Sequence, residues 1–188
     1  MNTEIEDLVR KFVDGDHAAF AELVRRYEKK VYGVAYRMMG NHLDADDVTQ
    51  EAFIRIYKNR KSIKTASFFS CLLMKIATNF AIDLIRKKKN RFVAIDDDTT
   101  ASQSLKAQLI DKSLGPDETM ESSELMEHVK KAVDMLPPRQ RTAIILHDIE
   151  GFSKDEIADI MECPQATVRS NLHIARIKVK KWLTKNKP

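Results

Sequence analysis

"FSKDEIADIMECPQATVRSNLHIARIKVKKW", Phe152 to Trp182, is the stretch that decides how this chain folds. Ser153 followed three residues later by Glu156 is a capping box, and Phe152 before the cap with Ile157 at the fourth helical position forms a hydrophobic staple. The helix so started is short and ends near Met161. Glu162-Cys163-Pro164 then turns the chain into a second helix, with Pro164 suited to an entering first turn. Two helices joined so tightly form a helix-turn-helix, whose second helix normally lies in the DNA major groove. At 100° per residue, Val168, Leu172, Ala175, Val179 and Trp182 share one face, while Arg169, His173, Arg176 and Lys180 line the neighbouring one. The apolar face docks and the basic face reaches outward. Ala166 to Lys185 holds six Lys and Arg and no acid. A merely solvated basic helix is the plain alternative; the capped short helix in front of an acid-free run favours DNA. Ile174 and Ile177 point away from the docking face, to meet a thymine methyl or a partner protein, or as scattered surface apolars.

Working back along the chain, Leu125, Val129, Ala132, Val133 and Leu136 give an amphipathic stripe that breaks at Pro137-Pro138 and resumes from Thr142 to Ile149. Residues 92 to 120 lose this periodicity and gather Asp, Ser, Thr, Gly and Pro, as an extended linker does. Further back, Ile5, Leu8, Val9 and Phe12 form a short stripe. Phe20, Leu23, Val24, Tyr27, Val31, Val34, Ala35 and Met38 form a long one, which Gly40 ends. Asp44 reads as an N-cap, with Asp47 in the first turn of a helix that runs to about Lys58. From about Phe68 to Lys89 comes a core helix carrying Phe69, Leu72, Leu73, Ile76, Ala77, Phe80, Leu84 and Ile85. Gly and Pro number only 5 each and strand-like alternation is almost absent. The expected fold is therefore all-α, with about eight helices in two small domains, residues 1–91 and 122–188, joined by an acidic linker, 92–121.

Charge follows the same division. The net +4 resolves into +6 over residues 1–91, −7 over 92–127 and +5 over 128–188. Basic folded blocks around an acidic spacer suit a polyanion partner. With 43% hydrophobic and 32% charged residues, and no apparent run of about 18 uncharged apolar positions, a cytoplasmic chain without membrane insertion is expected. Cys71 and Cys163 lie far apart and read as buried free thiols. His17, His42, His128, His147 and His173 show no metal spacing, and no histidine joins Asp44, Asp46, Asp47 and Glu51 at ligand spacing. No metal, cofactor or catalytic residue is expected. On the helix of Asp47, positions 47, 50, 51, 54, 55 and 58 share one side while Val48, Ala52 and Ile56 turn inward. A self-sufficient DNA-binding regulator and a small enzyme stand as alternatives, but the first block offers neither an evident ligand cavity nor a nucleophile-base pair.

Four ordered segments carry a resemblance: "YRMMGNHLDADDVTQEAFIRIYKN", "LLMKIATNFAIDLIRKKKN", "LPPRQRTAIILHDIEGFSKDEIADIM" and "CPQATVRSNLHIAR". Over roughly residues 16–91 and 122–183 the chain resembles the extracytoplasmic-function sigma factors of the bacterial sigma-70 superfamily. The resemblance implies a protein that is not an enzyme. It implies binding to core RNA polymerase, recognition of the minus-ten and minus-thirty-five elements of promoter DNA, help in melting the start region, and regulation by an anti-sigma factor. It assigns the helix around Asp47, Gln50, Glu51 and Arg55 to the polymerase clamp. The loop Arg60 to Ser67 and the stripe Lys75, Asn79, Asp83 and Arg86, with Lys87 and Lys88 in "RKKKNR", correspond to the minus-ten surface. Gln165, Thr167, Arg169, Ser170, His173, Arg176 and Lys180 correspond to the minus-thirty-five surface. It implies that the acidic linker threads the polymerase channels, partly imitating RNA. Similar proteins commonly carry tryptophan and tyrosine where this one has Leu72 and Met74, and often arginine where it has Asn171 and Ile174.

Overall fold

The computed structural model describes residues 3–95 and 120–186, with side chains throughout except at 91–95 and 120–126. Every regular element among the described residues is helical: α1 (Thr3–Val13), α2 (His17–Met39), α3 (His42–Lys58), a 3-10 turn (Arg60–Ser62), α4 (Ala66–Ile95), α5 (Met120–Asp134), α6 (Pro138–Ile144), a π turn (Ile145–Ile149), α7 (Lys154–Met161) and α8 (Gln165–Lys185). Of the expected linker, residues 96–119 lie outside the described residues. Residues 92–95 prolong α4, which was expected to stop near Lys89, because no glycine or proline interrupts "RKKKNRFVAI".

The first four helices pack around the apolar stripes the sequence displays. Leu23, Val31, Val34 and Met38 of α2 meet Ala45, Val48, Ala52 and Ile56 of α3 and Phe69, Leu73, Met74 and Ala77 of α4, all 0–1% exposed. Phe12 ties α1 to them, stacked on Phe20 at 4.9 Å and edge-on to Phe69 at 6.1 Å. Each such aliphatic or aromatic burial stabilises by about 1.5–3 kcal/mol. Residues Ala66–Asn90 are long and apolar enough to span a membrane by length and composition, although Lys75 and Asp83 interrupt the apolar run. Core packing explains the composition instead, since Phe69, Leu73, Met74, Ala77 and Ala81 are sealed inside.

The joints between these helices are set by local hydrogen bonding. Asp16 caps α2 by accepting the amides of Ala18 and Ala19, and Gly40 ends it at φ 79°, its N–H donating to the Tyr36 carbonyl. Asn41, not Asp44, caps α3. Asn41 is extended, its Oδ1 accepts the Asp44 amide at 2.9 Å, and its Nδ2 donates to the Asp44 carboxylate at 2.6 Å. Asp44 is thus the third helical residue, the acidic half of a reciprocal cap.

The second unit assembles on α8. Val168, Leu172 and Ala175 are buried against Ile157 and Ile160 of α7 and against Ala143, Ile145 and Leu146, with Val179 half-buried alongside. The capping box of Ser153 and Glu156 is formed on both sides. The helix expected from Thr142 begins earlier, on Pro138, and widens into the π turn, where the Glu150 amide donates to the Ile145 carbonyl five residues back.

The two units touch. Arg141 of α6, only 13% exposed at its side chain, donates from Nη1 to the Met38 carbonyl at 2.7 Å and from Nη2 to the Asp134 carbonyl. A cation therefore closes the C-terminal end of α2, where the last carbonyls lack helical partners. Burial lowers the Arg141 pKa and raises that of Asp134, 3.6 Å away.

Candidate nucleic-acid interface

Three exposed surfaces collect the residues singled out in the sequence. On α8, Thr167, Arg169, Ser170, His173, Arg176 and Lys180 all face solvent and Gln165 is half-buried. The turn that presents them bends at Glu162, whose φ of 49° is left-handed, and the Cys163 amide reaches back to the Ala158 carbonyl at 3.1 Å. Such a turn usually takes glycine or asparagine. Arg169 and Lys180 make no ion pair among the described residues, whereas Arg176 is held by Asp148 of the π turn through Nε at 3.0 Å and Nη2 at 2.5 Å. That pairing lowers the Asp148 pKa and raises that of Arg176. Gln165 donates to Asp155 at 2.5 Å. Ile174 and Ile177 stand in solvent, 37% and 52% exposed.

On α4, Lys75 and Asn79 are half-buried, whereas Asp83 and Arg86 are exposed. At 100° per residue, Phe68, Leu72, Lys75, Asn79, Asp83 and Arg86 fall within about 80° of one another. Phe68, missed in the sequence reading, is 43% exposed in the first turn of α4. Its own amide donates to Thr65 Oγ1 at 3.1 Å, and the adjoining loop presents Lys61 and Lys64 to solvent. The missed signal was the helical wheel: Phe68 lies directly in line with Arg86, five turns away. Met74 is fully buried and Leu72 half-buried, so the unusual residue at 74 bears on the core rather than on this surface. Arg86 and Lys87 are exposed; Lys88 is paired with Asp44. Lys75 Nζ lies 2.8 Å from Glu162 Oε1, and this pairing, with a lesser contribution from Asn79, lowers the Glu162 pKa.

The third surface is the outer side of α3. Asp47, Gln50, Arg55 and Lys58 are exposed around Ile54, which is 48% exposed, while Glu51 is half-buried. Arg55 donates to Glu51 at 2.6 Å and lies 4.9 Å from the Phe80 ring. Among the described residues no His, Cys, Asp and Glu gather in the manner of a metal site, and both cysteines are free and half-buried.

Residues 23–91 match the model of sigma-70 region 2 and residues 127–179 that of sigma-70 region 4. The chain is 36% identical to the ECF RNA polymerase sigma factor SigW of Bacillus subtilis, over 97% of this chain and 98% of that protein. It is 35% identical to the ECF RNA polymerase sigma-E factor of Escherichia coli K12, over 94% and 93% respectively. Among solved structures, RpoE of Bartonella quintana in complex with the anti-sigma factor NepR aligns with a TM-score of 0.70 at 22% identity, covering 89% of this chain and 98% of that one. CnrH in complex with the cytosolic domain of CnrY also gives 0.70, at 19% identity over 98% of this chain and 100% of that one. Those two likenesses are of fold.

Proposed function

Since the chain belongs to the extracytoplasmic-function group of RNA polymerase sigma factors, we propose that it binds core RNA polymerase through α3 and directs initiation in the cytoplasm by reading a minus-thirty-five element with α8 and a minus-ten element with α4. It works as a binding and positioning factor, without catalysis. The observation that carries this reading is the pair of separated basic surfaces, each on a helix whose opposite face is locked into a core: α8 by Val168, Leu172 and Ala175, α4 by Phe69, Leu73 and Ala77.

On α8 the N-terminal residues Arg169, Ser170 and His173 are placed for base edges, and the later lysines for phosphates, as expected when a recognition helix enters the major groove by its first turns. On α4 the chemistry is different. Holding a melted strand needs positive charge along the backbone and a flat apolar face for an unstacked base. Lys61, Lys64, Lys75, Arg86 and Lys87 supply the charge and Phe68 the face. The α3 side offers a mixed-charge, partly apolar patch, Asp47, Glu51, Arg55 and Lys58 around Ile54, to the polymerase. NepR and CnrY are solved on RpoE and CnrH, and an anti-sigma factor is the corresponding regulator proposed here.

The direct test is to mix the chain with core RNA polymerase, run size exclusion, and transcribe a promoter library with the complex. Co-elution and promoter-specific transcripts are expected. Tight operator binding without polymerase, and no co-elution, would replace this reading with that of a self-sufficient regulator.

A further inference from the structure

The first turn of α4 is held by two acceptors of different origin. Thr65 Oγ1 takes the Phe68 amide at 3.1 Å from within the loop, and Glu6 Oε2 of α1 takes the Ala66 amide at 3.0 Å from sixty residues away. Both amides lie where a helix offers no partner of its own, and the helix dipole favours a carboxylate there. Residues 59–65 reach that turn with one apolar anchor, Ile63, 4% exposed, while Lys61, Lys64 and Phe68 face solvent. Glu6, Val9 and Val13, spaced three and four apart, share the side of α1 that faces Ile63 and Lys64 across an open cleft of about 380 Å³. α1 is itself fixed: Phe12 stacks on Phe20 and meets Phe69 edge-on, and Glu4 pairs with Arg26 of α2.

We infer that Glu6 is a positioning residue of the minus-ten surface, which through the Ala66 amide fixes the loop and the first turn of α4, and with them the attitude of the Phe68 ring toward an unstacked base. Glu6 precedes residues 23–91, the part that matches sigma-70 region 2. The open cleft leaves the loop room to shift once this bond is lost, and a ring that must be ordered during binding binds more weakly than one already in place. Charge and position act in opposite directions here. A carboxylate near a surface that follows a phosphate backbone repels it, so removing Glu6 should tighten binding if its charge were all that mattered. Removing the hydrogen bond should weaken it. The inference rests on the proposed reading of α4.

The experiment uses holoenzyme and a fluorescent promoter bubble read by anisotropy, with exchange of the Ala66 amide followed by NMR in the free full-length chain. Glu6→Ala should speed that exchange and weaken bubble binding by about two- to tenfold, the cost of ordering one side chain on association. Glu6→Gln keeps an acceptor oxygen without the charge, and should restore both readouts. Helical content, and affinity for a duplex carrying only the minus-thirty-five element, should be unchanged in both variants, which separates positioning from general loss of structure. In a Phe68→Ala background, Glu6→Ala should add no further loss, because the two act through one ring. Tighter or undiminished bubble binding by Glu6→Ala, weaker binding without faster Ala66 exchange, or a loss fully additive with that of Phe68→Ala overturns the inference. If the exchange responds to Glu6 but Phe68→Ala leaves bubble binding intact, the reading of α4 is what fails, and the positioning role falls with it.

Discussion

Single side chains divide here into those proposed to read DNA and those that hold the fold. Arg169 is exposed near the start of α8 and makes no ion pair among the described residues, so its guanidinium is available for a bidentate contact. Arg169→Ala should cost about 1–3 kcal/mol at the preferred promoter and flatten discrimination among altered minus-thirty-five sequences. Lys180→Ala should weaken all sequences alike and lower the log-log salt slope by about one unit if one phosphate contact is lost. Holoenzyme titrations at several salt concentrations compare the two; an unchanged ranking of promoter variants in Arg169→Ala would move base reading elsewhere. Phe68→Ala should shift thermal stability little, since the residue is 43% exposed, yet weaken binding of a melted bubble by about 1–3 kcal/mol, the worth of a stacked base. Duplex and bubble probes measured side by side check that distinction. Arg169 was legible in the sequence because a basic face on an otherwise apolar-docked helix follows from spacing alone. Phe68 was not, because an aromatic next to Phe69 reads as core until the wheel shows it rotated by a hundred degrees.

Among helices, the caps were the most readable part and also the place of one misreading. Ser153 and Glu156 bond reciprocally as their spacing required, and Ser153→Ala should lower stability by about 1 kcal/mol, checked by thermal or denaturant melting of the full chain. In "GNHLDADD" the same logic pointed to Asp44, but Asn41 is the residue with extended backbone, and Asp44 serves as its partner three residues on. Sequence alone shows two suitable capping residues there; only the backbone says which is first. On α3, Asp47 is the cleaner probe of polymerase binding, because Glu51 also holds Arg55 at 2.6 Å and its reversal would free a cation. Asp47→Lys should weaken co-elution with core polymerase while shifting stability by about 0.5 kcal/mol or less. Unchanged affinity would remove α3 from the proposed clamp contact.

Taken whole, the molecule contains a class of contact that periodicity does not carry. The stripes of α2, α3, α4 and α8 foretold which faces are buried, because burial repeats every three or four residues. Nothing local links Arg37 to Glu150, Lys75 to Glu162 or Arg141 to the Met38 carbonyl, each a pairing across distant sequence. These contacts predict the outcome of limited proteolysis. Cleavage is expected within residues 92–120, where the sequence lacks core-forming periodicity, and the two fragments should still co-elute at low salt because Arg141 and the buried Met38 join them. Fragments that separate at once on a sizing column would count against that association. The corner at Met38 has one more consequence. It ends α2, lies three residues before the Asn41 cap of α3, and receives the guanidinium of α6. Thermodynamic reciprocity then applies: whatever free energy polymerase loading on α3 contributes to releasing Arg141 from this corner, prior release of Arg141 returns in full as tighter loading.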